Sequence, residues 1–209
     1  MADPPERDAG ERAIRELCRA GRHAEATTAA LHRYGVELLG FLRALAGDHD
    51  LAAEAFAELG EDLWKGLAKF RWESSLRSWL YTLARNALSQ LRRDPRRRRD
   101  RNLPLSVAPE VVAVVRTVTR DIQRTEVKDE LRVLREQLDP EEHEILLLRL
   151  DRGMPWKDIA RIVGGPGGGG APADDADLDA RAAALRKRFE RAKQRLKKLA
   201  IERGLIRRK

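Results

Sequence analysis

The amino-acid sequence predicts an all-α protein built from two small helical domains that a basic linker joins. In several stretches apolar residues follow one another at alternating spacings of three and one, which is the stripe of an amphipathic helix. Residues 94–110 interrupt this pattern with three prolines and a run of arginines. The prolines exclude a continuous helix through this stretch. A chain of 209 residues can bury one large core or two small ones, and the interruption favours two.

The first helices are predicted between residues 12 and 64. Residues 1–10 are rich in proline and charge, so we expect them to be disordered. Two apolar faces follow, a short one at Ile14, Leu17 and Cys18 and a longer one at Ala29, Ala30, Tyr34, Leu38, Leu39, Leu42 and Leu45. Gly47 is expected to end the longer helix as its C-cap. The next helix is expected to start at Asp50, and its stripe comprises Leu51, Ala55, Leu59 and Leu63.

The stretch from Phe70 to Arg93 is the centre of the first domain. After a loop at residues 71–75, its apolar stripe comprises Leu76, Trp79, Leu80, Leu83, Ala84, Ala87, Leu88 and Leu91. The other positions carry hydroxyl, amide and guanidinium groups and no carboxylate: Ser78, Tyr81, Thr82, Arg85, Asn86, Ser89, Gln90, Arg92 and Arg93. A helix with this second face suits a polyanion.

The predicted linker covers residues 94–125, and the second domain covers residues 126–209. Residues 111–138 return to a helical pattern, with one face at Val127, Leu131, Leu134 and Leu138. Asp139 and Pro140 then start a new helix as cap and first-turn residue. A short helix at Trp156–Val163 precedes a final basic helix with the stripe Leu185, Phe189, Ala192, Leu196 and Leu199. Two short helices followed by a basic one describe a helix-turn-helix, whose last helix enters the major groove of DNA.

Positive charge is concentrated at two places. The net charge of the chain is +8, yet residues 92–101 hold seven Arg and two Asp, and residues 181–209 hold thirteen Lys or Arg and two Glu. Two basic segments on a mildly acidic body indicate contacts with nucleic acid, because neutralising phosphates releases counterions. The alternative is a pair of solvated basic surfaces without a ligand.

The composition argues against several classes of protein. Cys18 is the single cysteine, so no intrachain disulfide is possible and a cytoplasmic location is expected. The opening stretch MADPPERDAGERAIREL is polar and acidic, unlike an export signal. No apolar run approaches the roughly 20 residues of a membrane helix. We expect no membrane contact, no cofactor and no metal, since no second cysteine or paired histidine accompanies Cys18 at ligand spacing.

The run FRWESSLRSWLYTLARNALSQLRR at residues 70–93 resembles the second conserved region of the sigma-70 family, in its small extracytoplasmic-function (ECF) type. Members of that family direct bacterial RNA polymerase to promoters. The resemblance implies that residues 11–93 form region 2, which opens the minus-10 element and captures flipped bases of the non-template strand. The implied minus-10 residues are Arg71, Trp72, Ser74, Ser75, Tyr81, Thr82, Arg85, Asn86 and Ser89.

Trp72 has two interpretations. Members of the family often carry glycine or a polar residue at this place in the loop, whereas an aromatic ring can stack on an unpaired base for about 1–3 kcal/mol. The alternative is that Trp72 packs on its own domain. Trp79 lies on the apolar stripe and is expected in the core.

The helix from Asp50 to Trp64 resembles the part of region 2 that docks on the clamp helices of the polymerase's largest subunit. The implied polymerase-binding residues are Asp50, Leu51, Glu54, Glu58, Leu59 and Asp62. Two positions depart from the family: Ala57 stands where members commonly have Gln, and Gly60 where they have Phe. A glycine inside a helix costs about 1 kcal/mol relative to alanine.

The stretches LDPEEHEILLLRLDRGMPWKDIARIVG and LRKRFERAKQRLKKL resemble the two parts of the family's region 4, which reads the minus-35 element and binds the polymerase flap. The implied minus-35 residues are Arg186, Lys187, Arg188, Arg191, Lys193 and Arg195. Residues 164–184 contain an insertion, GPGGGGAPADDADLDARAAA. Its glycine-rich half predicts a flexible loop. Its acidic half predicts that the last helix begins about two turns early, capped by Asp174 or Asp175, and four carboxylates there would repel phosphate.

The leading hypothesis is therefore a non-enzymatic promoter-specificity factor that binds core RNA polymerase and promoter DNA. Anti-sigma proteins are common partners in the family, and no residue here identifies one. A stand-alone helix-turn-helix regulator explains residues 139–199 equally well but assigns no role to residues 70–93. A third hypothesis, an enzyme acting on nucleic acid, finds no paired carboxylates, histidine cluster or nucleophile with a base.

Overall fold

The computed structural model describes residues 4–94, 109–123, 137–164 and 174–205. All regular secondary structure in these ranges is helical, which confirms the predicted all-α class. The chain divides into two compact units, Met1–Thr125 and Glu126–Lys209. No helix in the described ranges combines the length and apolar character needed to cross a membrane.

The first unit is a bundle in which the second helix packs against all its neighbours. Its helices are α1 (Pro4–Arg19), α2 (His23–Ala46), α3 (His49–Gly66), a 3-10 turn (Leu67–Lys69), α4 (Leu76–Arg93) and α5 (Pro109–Gln123). Large apolar side chains of α2, α3 and α4 fill the core, including Leu38, Phe41, Phe56, Leu59 and Leu80.

The boundary between α2 and α3 follows the predicted capping chemistry. Gly47 is the C-cap of α2 with a φ of 68°, a left-handed conformation that glycine adopts without a steric penalty. Asp48 is the N-cap of α3, and its carboxylate accepts a hydrogen bond of 2.8 Å from the amide of Leu51. The C-cap prediction is confirmed, and α3 begins one residue before the expected start.

The N-terminal segment differs from the expectation of disorder to residue 10. Helix α1 begins at Pro4, because proline is well tolerated in the first turn, where the missing amide hydrogen has no helical partner. Ile14 of α1 is 2% exposed and packs the helix against the bundle.

The predicted linker is also partly wrong. Residues 109–123 form α5, which packs against α2 and α3 within the first unit. The packed face consists of four valines that are at most 7% exposed, namely Val111, Val114, Val115 and Val118. The rest of the expected linker, residues 95–108, and the helical pattern expected at 124–136 lie outside the described residues.

The described residues of the second unit form three helices and one irregular turn. They are α6 (Pro140–Leu146), a π-helical turn (Leu147–Asp151), α7 (Trp156–Val163) and α8 (Asp175–Glu202). Its core includes Ile145, Leu148, Ile159, Ile162 and Phe189. Helix α8 starts early, as predicted, and the Asp174 carboxylate caps it by accepting a 2.7 Å bond from the amide of Asp177. The glycine-rich segment at residues 165–173 lies outside the described residues.

Candidate nucleic-acid interface

The loop at residues 71–75 enters α4 through two sets of capping bonds. Ser75 is the N-cap, and its hydroxyl accepts a hydrogen bond of 3.1 Å from the amide of Ser78. The carboxylate of Glu11, from α1, accepts bonds from the amides of Leu76 at 3.1 Å and Arg77 at 3.0 Å. Backbone amides that a helix start leaves without helical partners are thus bonded by a charged group from another helix.

Three aromatic rings lie together beside this loop. Phe70 stacks on Trp79 with ring centroids 4.5 Å apart and planes at 15°. Its centroid lies 5.0 Å from that of Trp72. Gly66 leaves room for the Trp79 ring, because a Cβ on Gly66 would lie 3.1 Å from that ring. Trp79, expected in the core, is only half-buried, as is Trp72.

Trp72 has an unusual backbone. Its φ of 59° lies in the left-handed region, where a bulky L-residue is a conformational outlier. The guanidinium of Arg15 lies 5.4 Å from the Trp72 ring centroid, at a distance suited to a cation–π contact. The ring is therefore held in place by Phe70, Arg15 and a strained main chain, with part of its surface open.

The polar side of α4 is more buried than the sequence suggested. Tyr81 is fully buried; its hydroxyl donates a 2.6 Å bond to Glu37, and its ring meets Phe41 edge-on at 4.9 Å. Glu37 also pairs with the buried guanidinium of Arg77. Tyr81 is thus a core residue, and its expected place on a DNA-facing side is wrong.

Other predicted minus-10 residues of α4 and its loop differ in accessibility. Thr82 is 7% exposed, and its hydroxyl donates to the carbonyl oxygen of Ser78 at 3.1 Å, while Asn86 is 6% exposed. Both were expected on the open side. The half-buried or exposed residues of the set are Arg71, Trp72, Ser74, Ser75, Arg85 and Ser89. The accessible part of the predicted site is therefore centred on the loop and the outer edge of α4.

Helix α3 separates its six predicted polymerase-binding residues into two groups. Leu51 and Leu59 are 9% and 0% exposed, so both belong to the core, as the apolar stripe of α3 predicts, and this burial conflicts with the polymerase contact implied for them. The acidic members are exposed or half-buried: Asp50, Glu54, Glu58 and Asp62. The apolar leucines face inward because the spacing of eight residues returns them to the same side of the helix.

In the second unit, all six predicted minus-35 residues of α8 are exposed, but several are paired. Arg195 contacts Asp139 at 3.1 Å and Glu142 at 3.3 Å, and Arg188 pairs with Glu141. These two arginines form ion pairs that join α8 to the start of α6. Lys193 pairs with Glu190 at 3.2 Å. Among the described side chains, neither Lys187 nor Arg191 has a carboxylate within ion-pair distance.

Most of the acidic start of α8 is paired with cations. Lys157 of α7 contacts Asp179 at 3.1 Å and Asp175 at 3.6 Å. The hydrogen bond that the Lys157 ammonium donates to Asp179 is the main reason that the pKa of Lys157 is raised. Arg181 pairs with Asp177 at 2.7 Å and donates to the carbonyl oxygen of Gly164 at 3.1 Å. These contacts offset much of the repulsion between carboxylates and phosphate that the sequence suggested.

Sequence reasoning missed two contributors to the first unit. Glu11 was not singled out, because no local pattern shows that its carboxylate reaches a helix start 65 residues later. Helix α5 lies largely within the helical pattern predicted at residues 111–138, but residues up to 125 were assigned to the linker, although the valines of α5 repeat with the spacing of a packed helical face. No group of side chains in the described ranges has the composition of a metal site.

Comparison with known proteins gives a match for the first unit. Residues 30–99 match the family model described as Sigma-70 region 2, and this range includes most of α2 and all of α3 and α4. No curated protein and no solved structure matched the chain. Residues 30–99 of the first unit are therefore similar to Sigma-70 region 2, the region that the stretch at residues 70–93 resembles.

Proposed function

We propose that this protein is an ECF-type sigma factor that binds core RNA polymerase and opens promoter DNA. The observation that carries the proposal is the Sigma-70 region 2 match over residues 30–99. That range contains the rigid entry into α4 and the strained aromatic residue Trp72 beside it. A pre-formed aromatic surface next to exposed polar side chains suits a single strand of DNA.

At the minus-10 element, the ring of Trp72 would be the surface on which an unpaired base stacks. This ring is already ordered by Phe70 and Arg15, so little side-chain entropy would be lost when a base stacks on it. Backbone strain at a residue often accompanies function. Arg71 and Arg85 would neutralise phosphates of the bound strand.

Polymerase would bind the acidic side of α3, which carries Asp50, Glu54, Glu58 and Asp62. A row of carboxylates on one helix suits a basic partner surface. The clamp helices of the largest polymerase subunit are the proposed partner.

The second unit is proposed to be region 4, with α7 and α8 as its helix-turn-helix. Helix α8 would lie at the minus-35 element, with Lys187 and Arg191 as phosphate contacts. The two arginines that fasten α8 to α6, Arg188 and Arg195, would orient the helix rather than read DNA. The polymerase flap is the proposed protein partner of this unit.

The test is copurification of the full chain with bacterial core polymerase, followed by transcription from a library of random promoters. Stable binding with recurrent start sites is the expected result, and the shared promoter sequence would follow from it. A chain that binds duplex DNA specifically but never copurifies with polymerase would instead be a stand-alone helix-turn-helix regulator.

A further inference from the structure

Helix α5 is packed unusually closely on the α2–α3 face of the first unit. A Cβ atom on Gly60 of α3 would lie 2.9 Å from Cγ2 of Val115, and one on Gly35 of α2 would lie 3.2 Å from Cγ2 of Val118. Two helices thus lack side chains where the valines of α5 approach. The glycines form a groove that fits the apolar face of α5 and excludes larger residues.

This groove continues into the acidic side of α3. Glu54, Ala57 and Gly60 follow one another at intervals of three, so they are neighbours on the helix surface. Glu54 belongs to the carboxylate row, whereas Gly60 lies under α5. While α5 is docked, the accessible side of α3 carries five carboxylates, and its apolar residues Ala53, Ala57 and Trp64 are half-buried. This side therefore offers little of the apolar centre that a stable complex requires.

We propose that α5 is an intrachain cover: it occupies the apolar half of the surface through which α3 binds polymerase, and it leaves when polymerase binds. The inference rests on the proposed function. The partner surface would combine a basic edge, facing the carboxylates of α3, with an apolar helix that replaces the valine face of α5. Without α5, the groove lined by Gly35 and Gly60 would supply the missing apolar centre.

The composition of α5 suits a helix that can leave. Its packed face consists of valines, whose branched Cβ lowers helix propensity. A helix of 15 residues is marginal in water without tertiary contacts. Undocking would therefore unfold α5, while the leucine and phenylalanine core of α2, α3 and α4 would stay intact.

The first test is hydrogen exchange of the full chain, free and bound to core polymerase. Backbone amides of Val114, Val115 and Val118 are expected to be protected in the free chain and to lose that protection in the complex, while α2 stays protected. Retained protection of α5 in the complex would overturn the inference. Failure to form any complex would overturn the proposed function and this inference together.

The second test compares affinities for core polymerase. The double variant Val115→Asp/Val118→Asp places two carboxylates in the groove and should release α5, which raises affinity at least about tenfold because the competent state is no longer a minority. The control Ala113→Asp/Thr117→Asp adds the same charge on the exposed side of α5 and should bind like the wild type.

A weaker pair, Val115→Ala/Val118→Ala, covers the case in which the charged variant does not fold, and a smaller gain in affinity is expected. The contrary outcome is a folded variant with α5 released that binds polymerase no more tightly than the wild type does. That result would show that α5 covers no surface that polymerase uses. That result would leave the proposed function standing.

Discussion

Glu11 of α1 accepts a hydrogen bond of 3.1 Å from the backbone amide of Leu76, the first residue of α4. The same carboxylate accepts from the amide of Arg77 and, at 3.0 Å, from the hydroxyl of Tyr34. One side chain therefore joins three helices at the point where the candidate DNA-binding loop ends. The position of that loop depends on an N-terminal helix outside the matched range of residues 30–99.

Glu11→Gln should lower the free energy of unfolding by about 1–3 kcal/mol, because bonds to a charged acceptor are replaced by weaker ones. Urea denaturation of both proteins measures the difference. Glu16→Gln removes the same charge from an exposed position of α1 and is the control. If the two variants are equally stable, the Glu11 bonds contribute nothing beyond helix charge.

Gly60→Ala should destabilise the first unit by about 1–3 kcal/mol through overpacking against Val115. In a Val115→Ala background the clash is absent, and the same substitution should stabilise α3 by about 0.5–1 kcal/mol, the usual advantage of alanine over glycine in a helix. A double-mutant cycle by urea denaturation measures the coupling. Additive effects would contradict the close contact between α3 and α5.

Trp72→Ala and Trp72→Gly both remove the ring but treat the backbone differently. Loss of base stacking should weaken promoter opening by about 1–3 kcal/mol in either variant, as measured by fluorescence of a base analogue in the minus-10 element. Trp72→Gly should also be about 1 kcal/mol more stable than Trp72→Ala, since glycine adopts a positive φ without strain. Opening at the wild-type level in both variants would make Trp72 a structural residue.

Lys187→Ala and Arg195→Ala each remove one positive charge from α8. Lys187 has no described ionic partner. Its removal should reduce the magnitude of the slope of log association constant for duplex DNA against log salt concentration by about 0.9. Arg195 is held by Asp139 and Glu142, so its removal should change the slope less. Fluorescence anisotropy over a salt series tests this, and equal slopes for the two variants would refute the assignment.

Burial raises the pKa of Tyr34 from 10.0 to about 12. Between these values the unfolded chain loses the phenolic proton while the folded chain retains it. Stability from this residue is therefore complete below about pH 10 and is lost as the pH rises towards 12. The free energy of unfolding should fall more steeply over this range for the wild type than for Tyr34→Phe, and parallel curves would contradict the burial argument.

Helix caps could be predicted from the sequence where residues close along the chain decide the local structure. The C-cap at Gly47 and the early, Asp174-capped start of α8 were both predicted, because a glycine conformation and a helix N-terminus depend on residues within one turn. The all-α class followed from apolar spacing for the same reason.

The burial of polar residues could not be predicted from the sequence. Tyr81 was expected to face DNA, yet it lies in the core, because Glu37 on another helix supplies the acceptor that makes burial of its hydroxyl favourable. The burial of Leu51 and Leu59 was predicted by the apolar stripe of α3, whereas the polymerase contact that the family resemblance implied for them conflicts with that burial.

The sequence by itself determined the helical class, the helix caps at Gly47 and Asp174 and the two concentrations of positive charge, since each depends on composition or on contacts within a turn. Only the tertiary structure decided that Glu11 holds the start of α4, that Trp72 has a left-handed backbone and that α5 packs into a groove floored by Gly35 and Gly60. These relationships join residues tens of positions apart, and their energies come from packing and desolvation that no local pattern encodes.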